Sequence, residues 1–178
     1  MAKFIFSFKR TLASEGGYVN DQKDLGGETY KGISRNYHYY WDGWKLIDSH
    51  KSNSDFPKSL DADLTLQNKI EQFYYVNFWS LLNLDKVTDQ FIADSIFDFS
   101  INAGIITSVR LIQAIVQTKI DGIVGEHTLH KINSMDSAHL INAFTLEKIK
   151  YYISISQKRP ANQRFLLGWI NRALSFCN

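Results

Sequence analysis

Residues 15–33 read Glu-Gly-Gly-Tyr-Val-Asn-Asp-Gln-Lys-Asp-Leu-Gly-Gly-Glu-Thr-Tyr-Lys-Gly-Ile and follow an apolar, helix-like run. The glycines in this stretch let the backbone turn tightly and adopt positive φ, so that its carboxylates can converge. Glu15 stands at the end of the apolar pattern, where partial burial raises the pKa of a carboxyl group. Asp21 and Asp24 lie further out on the loop, where a carboxylate stays ionised. The stretch therefore predicts two carboxylates in contrasting environments.

Two carboxylates of this kind suit the cleavage of a glycosidic bond. One donates a proton, and the other, as an anion, faces the developing oxocarbenium ion or the attacking water. The alternative is an acidic, glycine-rich surface turn with Glu15 solvated near a helix end, because most such stretches are only loops. Composition alone leaves both interpretations open.

The order of the residues resembles the signature of the glycoside hydrolase family 108 muramidases, also called secretion-activator proteins. That signature reads Glu-Gly-Gly-Tyr-Val, an Asn/Asp pair, Asp-x-Gly-Gly-x-Thr and Gly-Ile. The matching positions are Glu15, Gly16, Gly17, Tyr18, Val19, Asn20, Asp21, Asp24, Gly26, Gly27, Thr29, Gly32 and Ile33. One departure is Gln22, which stands where the family usually has proline; it loosens the loop and removes no chemical group.

Three later segments resemble the peptidoglycan-binding region that follows the catalytic part in this family. They are Phe97–Gly104, Asp121–Gly125 with Thr128, and Gly168–Trp169. Phage endolysins of the lysozyme type also order a Glu, an Asp and a Thr in this way. The resemblance implies a mainly α, lysozyme-like, two-lobed helical fold with a small β-hairpin or loop that carries the acidic residues. It also implies a catalytic region over residues 1–88 and a helical peptidoglycan-binding region over residues 89–178.

The resemblance further implies a muramidase that hydrolyses the β-1,4 bond between N-acetylmuramic acid and N-acetylglucosamine, with no metal or organic cofactor. Glu15 is the expected general acid. Asp24 is the expected second carboxylate, with Asp21 close behind it, and Thr29 is a candidate to position water or Asp24. The separation of the two carboxyl groups decides the stereochemistry: about 5–5.5 Å retains and about 6.5–9.5 Å inverts the configuration.

Aromatic side chains cluster just past the acidic loop, from Tyr37 to Trp44. The apolar C–H faces of sugar rings stack on aromatic rings, so this cluster is a candidate wall of a glycan cleft. The alternative is packing in the core, because Trp and Tyr dominate buried area. The candidate substrate-binding residues are Tyr18, Asn20, Tyr37, Tyr40, Trp44, Asn102, Asp121 and Trp169.

The composition is that of a folded protein with one good core or two small lobes. The chain has 178 residues, is 44% hydrophobic and contains two prolines, which argues against disorder. Cys177 is the single cysteine, so folding depends on no internal disulfide or oxidising compartment. Residues 1–104 carry 11 Lys/Arg against 14 Asp/Glu, whereas residues 105–178 carry 9 against 4. The basic second part suits attraction to an anionic polymer.

The first eight residues are apolar, but Lys9 and Arg10 end the run, which is too short for a secretory signal or a membrane span. We expect synthesis in the cytoplasm without a classical signal peptide, and action in the periplasm or at the cell wall. Peptidoglycan is the expected partner, together with a holin-like export factor. We expect a monomer without stable membrane insertion.

Other chemistries lack their motifs in this sequence. The histidines show no zinc-binding spacing, so no metal is expected, and no setting for a serine or cysteine nucleophile is recognisable. The basic residues are scattered and no nucleic-acid motif is present, so no nucleic-acid partner is expected. Three roles stay open: wall remodelling that lets a protein or toxin leave the cell, phage-type lysis, and a non-catalytic peptidoglycan-binding module.

Hydrophobic periodicity predicts helices over most of the remaining chain. They are expected over about residues 3–14, 60–82, 89–101, 107–118, 126–132, 138–156 and 163–175, with a short helix from about Gly32 and an irregular stretch over 42–58. Tyr18-Val19 and Thr29-Tyr30 flank turn residues and predict a small hairpin. Asn102-Ala103-Gly104 predicts a helix end, and Asp136 or Ser137 a helix start. Asp98 is expected to anchor a hydrogen bond between lobes.

Overall fold

The structure is a computed structural model that describes residues 1–13, 16–21 and 26–177. The chain divides into two compact units. The hairpin unit is Phe8–Asn77, and the helical unit consists of Met1–Ser7 and Phe78–Asn178. Each unit buries its own apolar side chains, such as Ile33 and Leu66 in the first and Phe97 and Phe144 in the second.

The described residues form nine α-helices and a three-stranded antiparallel sheet, so the predicted mainly α fold is confirmed. The helices are α1 (Phe4–Leu12), α2 (Gly43–His50), α3 (Ser59–Ala62), α4 (Leu64–Tyr74), α5 (Gln90–Ala103), α6 (Ile105–Ile115), α7 (Glu126–Ser134), α8 (Ser137–Lys158) and α9 (Gln163–Leu174). The strands are β1 (Tyr18–Asn20), β2 (Glu28–Tyr30) and β3 (Ile33–Ser34). No helix in the described part of the chain is both long and apolar enough to cross a membrane.

The predicted hairpin is present and gains a third strand. β1 pairs with β2, with Tyr18 opposite Tyr30, and β2 pairs with β3, with Tyr30 opposite Ile33. The predicted short helix from about Gly32 is therefore wrong. Lys31 and Gly32 have φ of 45° and 78° and form the two-residue turn between β2 and β3. Two consecutive positive φ angles match the twist of a hairpin, and glycine adopts the second without steric cost.

The predicted irregular stretch over residues 42–58 contains a helix, α2. Its Trp44 and Ile47 lie about one turn apart and are both buried. The polar residues of this stretch, above all Ser52–Asp55 just before Pro57, suggested a loop. A helix of eight residues is held by tertiary packing more than by its own propensity, and here two side chains provide that packing.

The predicted helix over residues 60–82 is interrupted at Asp63. This residue is extended, and its carboxylate accepts a hydrogen bond from the Leu66 amide at 3.0 Å, which is how an N-cap starts a new helix. α4 begins at the next residue and continues into one π-helical turn, Tyr75–Trp79. π-turns are rare and often accompany functional sites.

α5 is the most buried helix of the helical unit, with every side chain from Ile92 to Ser100 buried. Its ends lie close to those predicted. Asp89 accepts hydrogen bonds from two amides of the first turn, and Gly104 ends the helix with φ of +87°. Asp136 caps α8 by accepting from the His139 amide, as predicted.

Asp98 of α5 forms a buried ion pair with Arg172 of α9. Arg172 donates hydrogen bonds from Nε and Nη2 to the Asp98 carboxylate over 2.8–3.1 Å. Paired donors of this kind fix geometry as well as adding energy. The predicted hydrogen bond of Asp98 is present, but it joins α5 to α9 within the helical unit, so the prediction that it joins two lobes is wrong.

Candidate active site

The register of the sheet decides which predicted site residues share a face. Residues directly opposite each other in an antiparallel pair point to the same side, and neighbours along a strand alternate. Thr29 lies opposite Val19 and Ser34, so these three residues share the outer face, where Val19 is 51% exposed. The inner face consists of Tyr18, Asn20, Glu28, Tyr30 and Ile33.

A buried carboxylate occupies the inner face. Glu28 accepts a hydrogen bond from the Tyr18 hydroxyl at 2.8 Å and pairs with Lys51 at 2.8 Å and Arg35 at 3.1 Å. Burial raises the pKa of Tyr18, and its hydrogen bond to Glu28 raises it further, so the hydroxyl remains a donor. Two cations and a phenol occupy the Glu28 carboxylate, so we assign it a structural role, in which it ties the sheet to Arg35 and Lys51, and no catalytic one. Sequence reasoning assigned it none.

The same two cations connect the sheet to α2. Arg35 and Lys51 each reach Asp48, at 2.8 Å and 2.7 Å. Burial raises the pKa of Asp48, but the hydrogen bonds from Lys51 and Arg35 outweigh it and leave that pKa below its usual value. We call Tyr18, Glu28, Arg35, Asp48 and Lys51 the inner network. Its two anions and two cations balance, so it ties the hairpin to α2 without a net charge.

Two glycines fix the backbone over the outer face. The Gly26 carbonyl accepts a hydrogen bond from the Ser34 hydroxyl at 2.6 Å, and the Gly27 carbonyl accepts one from the Thr29 hydroxyl at 3.3 Å. Gly27 has φ of +62°, and a Cβ there would lie 2.8 Å from Asn36 Nδ2. The Asn36 side chain can move away, but the positive φ still strains any other residue, so glycine is favoured at position 27.

The structure describes two of the four predicted catalytic residues. Thr29 is half-buried in the middle of β2, on the outer face of the sheet. Asp21 is exposed and directly follows β1. Glu15 and Asp24 lie outside the described residues. All four roles stay predictions.

Side chains of α4 hold the turn between β2 and β3 through hydrogen bonds to Lys31. The Tyr74 hydroxyl donates to the Lys31 carbonyl at 2.7 Å, and Gln67 accepts from Lys31 Nζ at 2.8 Å. Lys31 also pairs with Asp61 at 2.9 Å, and the hydrogen bond from Lys31 lowers the pKa of Asp61. The turn that follows Thr29 is thus held by α4 and the preceding α3.

A second face of α4 forms a groove of about 300 Å³. The other wall comes from the segment before α2, and the ion pair between Asp42 and Lys69 joins the two walls. The groove is lined by Tyr40, Trp41, Asp42, Lys69, Gln72, Phe73, Val76 and Asn77. Val76 and Asn77 lie on the π-helical turn. The groove and the sheet belong to the same unit and share α4 as a support.

The predicted aromatic cluster divides between this groove and the core. Tyr40 is 66% exposed and lines the groove, and Tyr37 is exposed but does not line it. Trp44 is buried, donates from Nε1 to the His38 carbonyl at 2.8 Å, and lies under the Arg35 guanidinium. Trp41, which was in the cluster but not among the predicted binding residues, forms part of the groove with one ring edge against Phe73.

The remaining predicted binding residues have contacts within their own units. Asn20 is exposed at the end of β1. Asn102 donates to the Asp98 carbonyl at 2.8 Å, one turn back in α5. The Asp121 carboxylate accepts from Gln113 and from the Ile123 amide, which folds its loop. The Trp169 ring stacks on Tyr152, with 5.2 Å between centroids. Their binding roles stay predictions.

Within residues 1–13, 16–21 and 26–177, no three His, Cys, Asp or Glu side chains are grouped so as to hold a metal ion.

Two family models match the chain in succession. The model described as Glycosyl hydrolase 108 matches residues 8–104, which is more than half of the chain, and contains the whole acidic stretch. The model described as Predicted Peptidoglycan domain matches residues 107–174, which contain α7, α8 and α9. No curated protein sequence matches the chain.

The fold is also similar to the structure of Brucella abortus SagA. The two share 24% sequence identity and superpose with a TM-score of 0.66, over 97% of this chain and 94% of that one. At this level of identity the similarity concerns the fold alone.

Proposed function

The chain belongs to the glycosyl hydrolase 108 family, and from that membership we propose that it is an N-acetylmuramidase that hydrolyses the β-1,4 bond between N-acetylmuramic acid and N-acetylglucosamine. It is a glycoside hydrolase, and its second family match makes peptidoglycan its partner. The observation that carries the finer proposal is that the glycosyl hydrolase match spans the acidic stretch in which Glu15, Asp24 and Thr29 stand in the muramidase order.

In the proposed reaction, Glu15 protonates the glycosidic oxygen as the bond to the sugar breaks. Asp24 is the anion that faces the oxocarbenium-like centre, with Asp21 as the alternative. Thr29 positions the attacking water or Asp24. The contacts of Gly26 and Gly27 on the outer face support this role for Thr29, because they fix these two glycines against Ser34 and Thr29.

The stereochemistry of the product distinguishes the two possible roles of the second carboxylate. If Asp24 activates water directly, the reaction inverts the anomeric centre, and if it forms a glycosyl-enzyme, the configuration is retained. Proton NMR of the first-formed reducing end, recorded before mutarotation, reports which anomer is released.

We place part of the glycan strand in the groove beside α4. Tyr40 presents an exposed ring for the apolar face of a sugar, and the Gln72 and Asn77 amides can bond to hydroxyl or acetamido groups. Grooves with apolar walls and a few polar groups are typical ligand sites.

We further propose that the protein acts in the periplasm or at the cell wall as a monomer, delivered by a holin-like export factor. The proposed task is local wall remodelling that lets a protein cargo such as a toxin leave the cell. This rests on the resemblance of residues 15–33 to the secretion-activator signature. Fractionation of cells with and without a holin-like protein, together with light scattering of the purified protein, tests it.

The deciding experiment is digestion of purified sacculi followed by mass analysis of the released muropeptides. We expect fragments with reducing muramic acid ends from the wild type, and a loss of about 10³-fold in rate for Glu15→Gln. Glu71→Gln, the same change on α4, is the matched control and should keep its rate. Anhydro-muramic ends would indicate a lytic transglycosylase, and sacculus binding without release would leave a wall-binding module.

A further inference from the structure

The helical unit has basic side chains that its own acidic groups do not neutralise. Residues 105–178 carry 9 Lys/Arg against 4 Asp/Glu. All four acidic groups are engaged elsewhere in that unit: Asp121 in its loop, Glu126 with Lys86, Asp136 as the cap of α8, and Glu147 with Lys150. Residues 1–7 and 78–104 of the same unit add four carboxylates, of which Asp98 pairs with Arg172. The whole unit still carries 11 Lys/Arg against 8 Asp/Glu, so positive charge is available to an external anion.

Part of this charge lines a cavity where α8 ends and α9 is about to begin. The cavity has a volume of about 360 Å³ and is lined by Tyr151, Ile155, Lys158, Arg159 and Asn162. We call it the carboxylate pocket. All five residues lie inside the segment that matches the peptidoglycan domain model.

Three polar groups of the carboxylate pocket have no partner among the described residues. Lys158 and Arg159 are both exposed, and neither forms an ion pair with any described carboxylate. The Tyr151 hydroxyl has no hydrogen-bond partner among the described residues. Asn162 donates from its amide nitrogen to the Ile155 carbonyl at 3.3 Å, which ties the turn before α9 to the end of α8.

The wall behind these groups is fixed by the core. The Tyr151 ring packs edge-on against Phe99 of α5 and against Tyr152, with centroids 5.6 Å and 5.8 Å apart. Tyr152 is in turn stacked on Trp169 of α9. The pocket is therefore formed before a ligand arrives, which reduces the entropy lost on binding.

We propose that the carboxylate pocket binds a carboxylate of the peptidoglycan stem peptide. This rests on the proposed function, which makes peptidoglycan the substrate. A guanidinium, an ammonium and a phenol supply charge-assisted donors for a carboxylate, and Ile155 offers an apolar surface to the adjoining aliphatic side chain. The uncharged sugars of the strand have no group that needs two cations, whereas stem peptides carry free carboxylates along their length.

The test is isothermal titration calorimetry with a purified disaccharide-tetrapeptide muropeptide and with the same compound after its carboxylates are converted to amides. Loss of two charge-assisted hydrogen bonds in the double variant Lys158→Gln/Arg159→Gln should weaken binding of the acidic muropeptide at least about tenfold. The control Arg110→Gln/Lys131→Gln also removes one guanidinium and one ammonium from exposed positions of the same unit, and it should change affinity less than about twofold. The amidated compound should bind the wild type as weakly as the acidic compound binds the double variant.

Three results would overturn the proposal: equal affinity of the double variant and the wild type, equal binding of the amidated and acidic compounds, or an equal loss in the control variant. If the double variant loses as much affinity for duplex DNA as for the acidic muropeptide, the two cations belong to a general polyanion-binding surface and the proposal is also overturned. Hydrolysis of glycan strands stripped of their peptides, with the freed lactyl carboxyl groups converted to amides, is measured in parallel and should not change in the double variant. If the wild type cleaves no glycan while muropeptide binding still depends on the two cations, the muramidase proposal fails and the pocket stands.

Discussion

The hairpin unit and the helical unit use charged side chains for different purposes. In the hairpin unit, carboxylates and cations are paired within the fold, as in the inner network and in the pairs Lys31–Asp61 and Asp42–Lys69. In the helical unit, long helices bury large apolar side chains, and Lys158 and Arg159 are exposed with no ion-pair partner among the described carboxylates.

The difference follows from the size of the elements. Strands of three, three and two residues cannot form a stable sheet by themselves, so the hairpin unit needs ionic and hydrogen-bonded ties to α2 and α4. Helices of 14 and 22 residues such as α5 and α8 bury enough surface to be stable through packing. Ion pairs therefore position the candidate site in the hairpin unit. In the helical unit they mainly add stability, and the cations of the carboxylate pocket are available to a ligand.

The largest expected effect is a loss of stability in the helical unit. Asp98→Asn removes the carboxylate from the bidentate pair with Arg172, both of which are largely buried. Breaking such a pair costs about 3 kcal/mol, or about 10 °C in Tm for a chain of this size. We expect differential scanning calorimetry to show this fall in Tm, whereas kcat on sacculi should be unchanged at 25 °C. A fall in kcat with an unchanged Tm would contradict this difference between the units, because an ion pair of the helical unit would then serve activity and not stability.

The next effect should fall on activity more than on stability. Glu28→Gln removes the buried anion of the inner network and leaves Arg35 and Lys51 with Asp48 alone. We expect a cost of about 2 kcal/mol and a fall in kcat of about tenfold, because the strand that carries Thr29 shifts. Urea denaturation and initial rates on sacculi measure the two quantities.

Asp48→Asn is the matched control for Glu28→Gln. Asp48 contacts the same two cations but is 47% exposed, so its loss should cost less than about 1 kcal/mol and leave kcat near wild type. Equal effects of the two substitutions would mean that the network acts by charge balance and that the position of Glu28 under the sheet has no special importance.

Local signals in the sequence predicted much of the fold. Asp89, Asp136 and Gly104 act on the backbone within a few residues of themselves, so their helix ends could be read directly. The hairpin was predicted for the same reason. α2 was missed because two buried side chains hold it against the rest of its unit, and that contact has no local signature. The turn at Lys31-Gly32 did have a local signal, because Gly32 lies between Thr29-Tyr30 and Ile33-Ser34. We interpreted that glycine as the start of a helix instead of as part of a turn.

The candidate site divides in the same way. Residues 15–33 carried their family signature in order, whereas the groove joins the segment before α2 to α4, and only folding brings those residues together. The carboxylate pocket had a partial signal, because Tyr151, Ile155 and Lys158 are spaced to share one face of a helix. What could not be read from the chain is that Lys158 and Arg159 have no partner among the described carboxylates.

A smaller effect is expected at the groove of the hairpin unit. Tyr40→Ala removes an exposed ring that lines the groove and should raise KM about fivefold to tenfold with little change in Tm. Tyr39→Ala is the control, since Tyr39 is even more exposed and does not line the groove. Equal KM values for the two variants would remove the groove from the substrate path.

The smallest effect is a difference between the units in acid. Asp48, Asp61 and Asp63 of the hairpin unit have lowered pKa values, whereas among the described carboxylates of the helical unit only the pKa of Asp121 is lowered, chiefly by the hydrogen bond from Gln113. For Asp63 the main cause is the hydrogen bond from the Leu66 amide, and the hydrogen bond from His50 lowers its pKa further. A carboxylate whose pKa is depressed on folding adds stability above its unfolded pKa, near 4, and loses it as the pH falls through the folded pKa. The contribution of each of the three hairpin aspartates is below about 1 kcal/mol, because these groups are partly exposed. We therefore expect the hairpin unit to loosen first below about pH 4.

Tryptophan fluorescence can follow the two units separately, since Trp41 and Trp44 lie in the hairpin unit and Trp79 and Trp169 in the helical unit. Two variants are made, each keeping one pair of tryptophans and replacing the other pair by Phe. As the pH is lowered, the fluorescence of the hairpin pair should change at a higher pH than that of the helical pair. Replacing the three aspartates by Asn keeps the hydrogen-bonding shape, including the cap at position 63, and should remove most of the difference. If both signals change together and the Asn variant behaves like the wild type, ion pairing does not set the stability of the hairpin unit, and its strands are held by packing as the helices are.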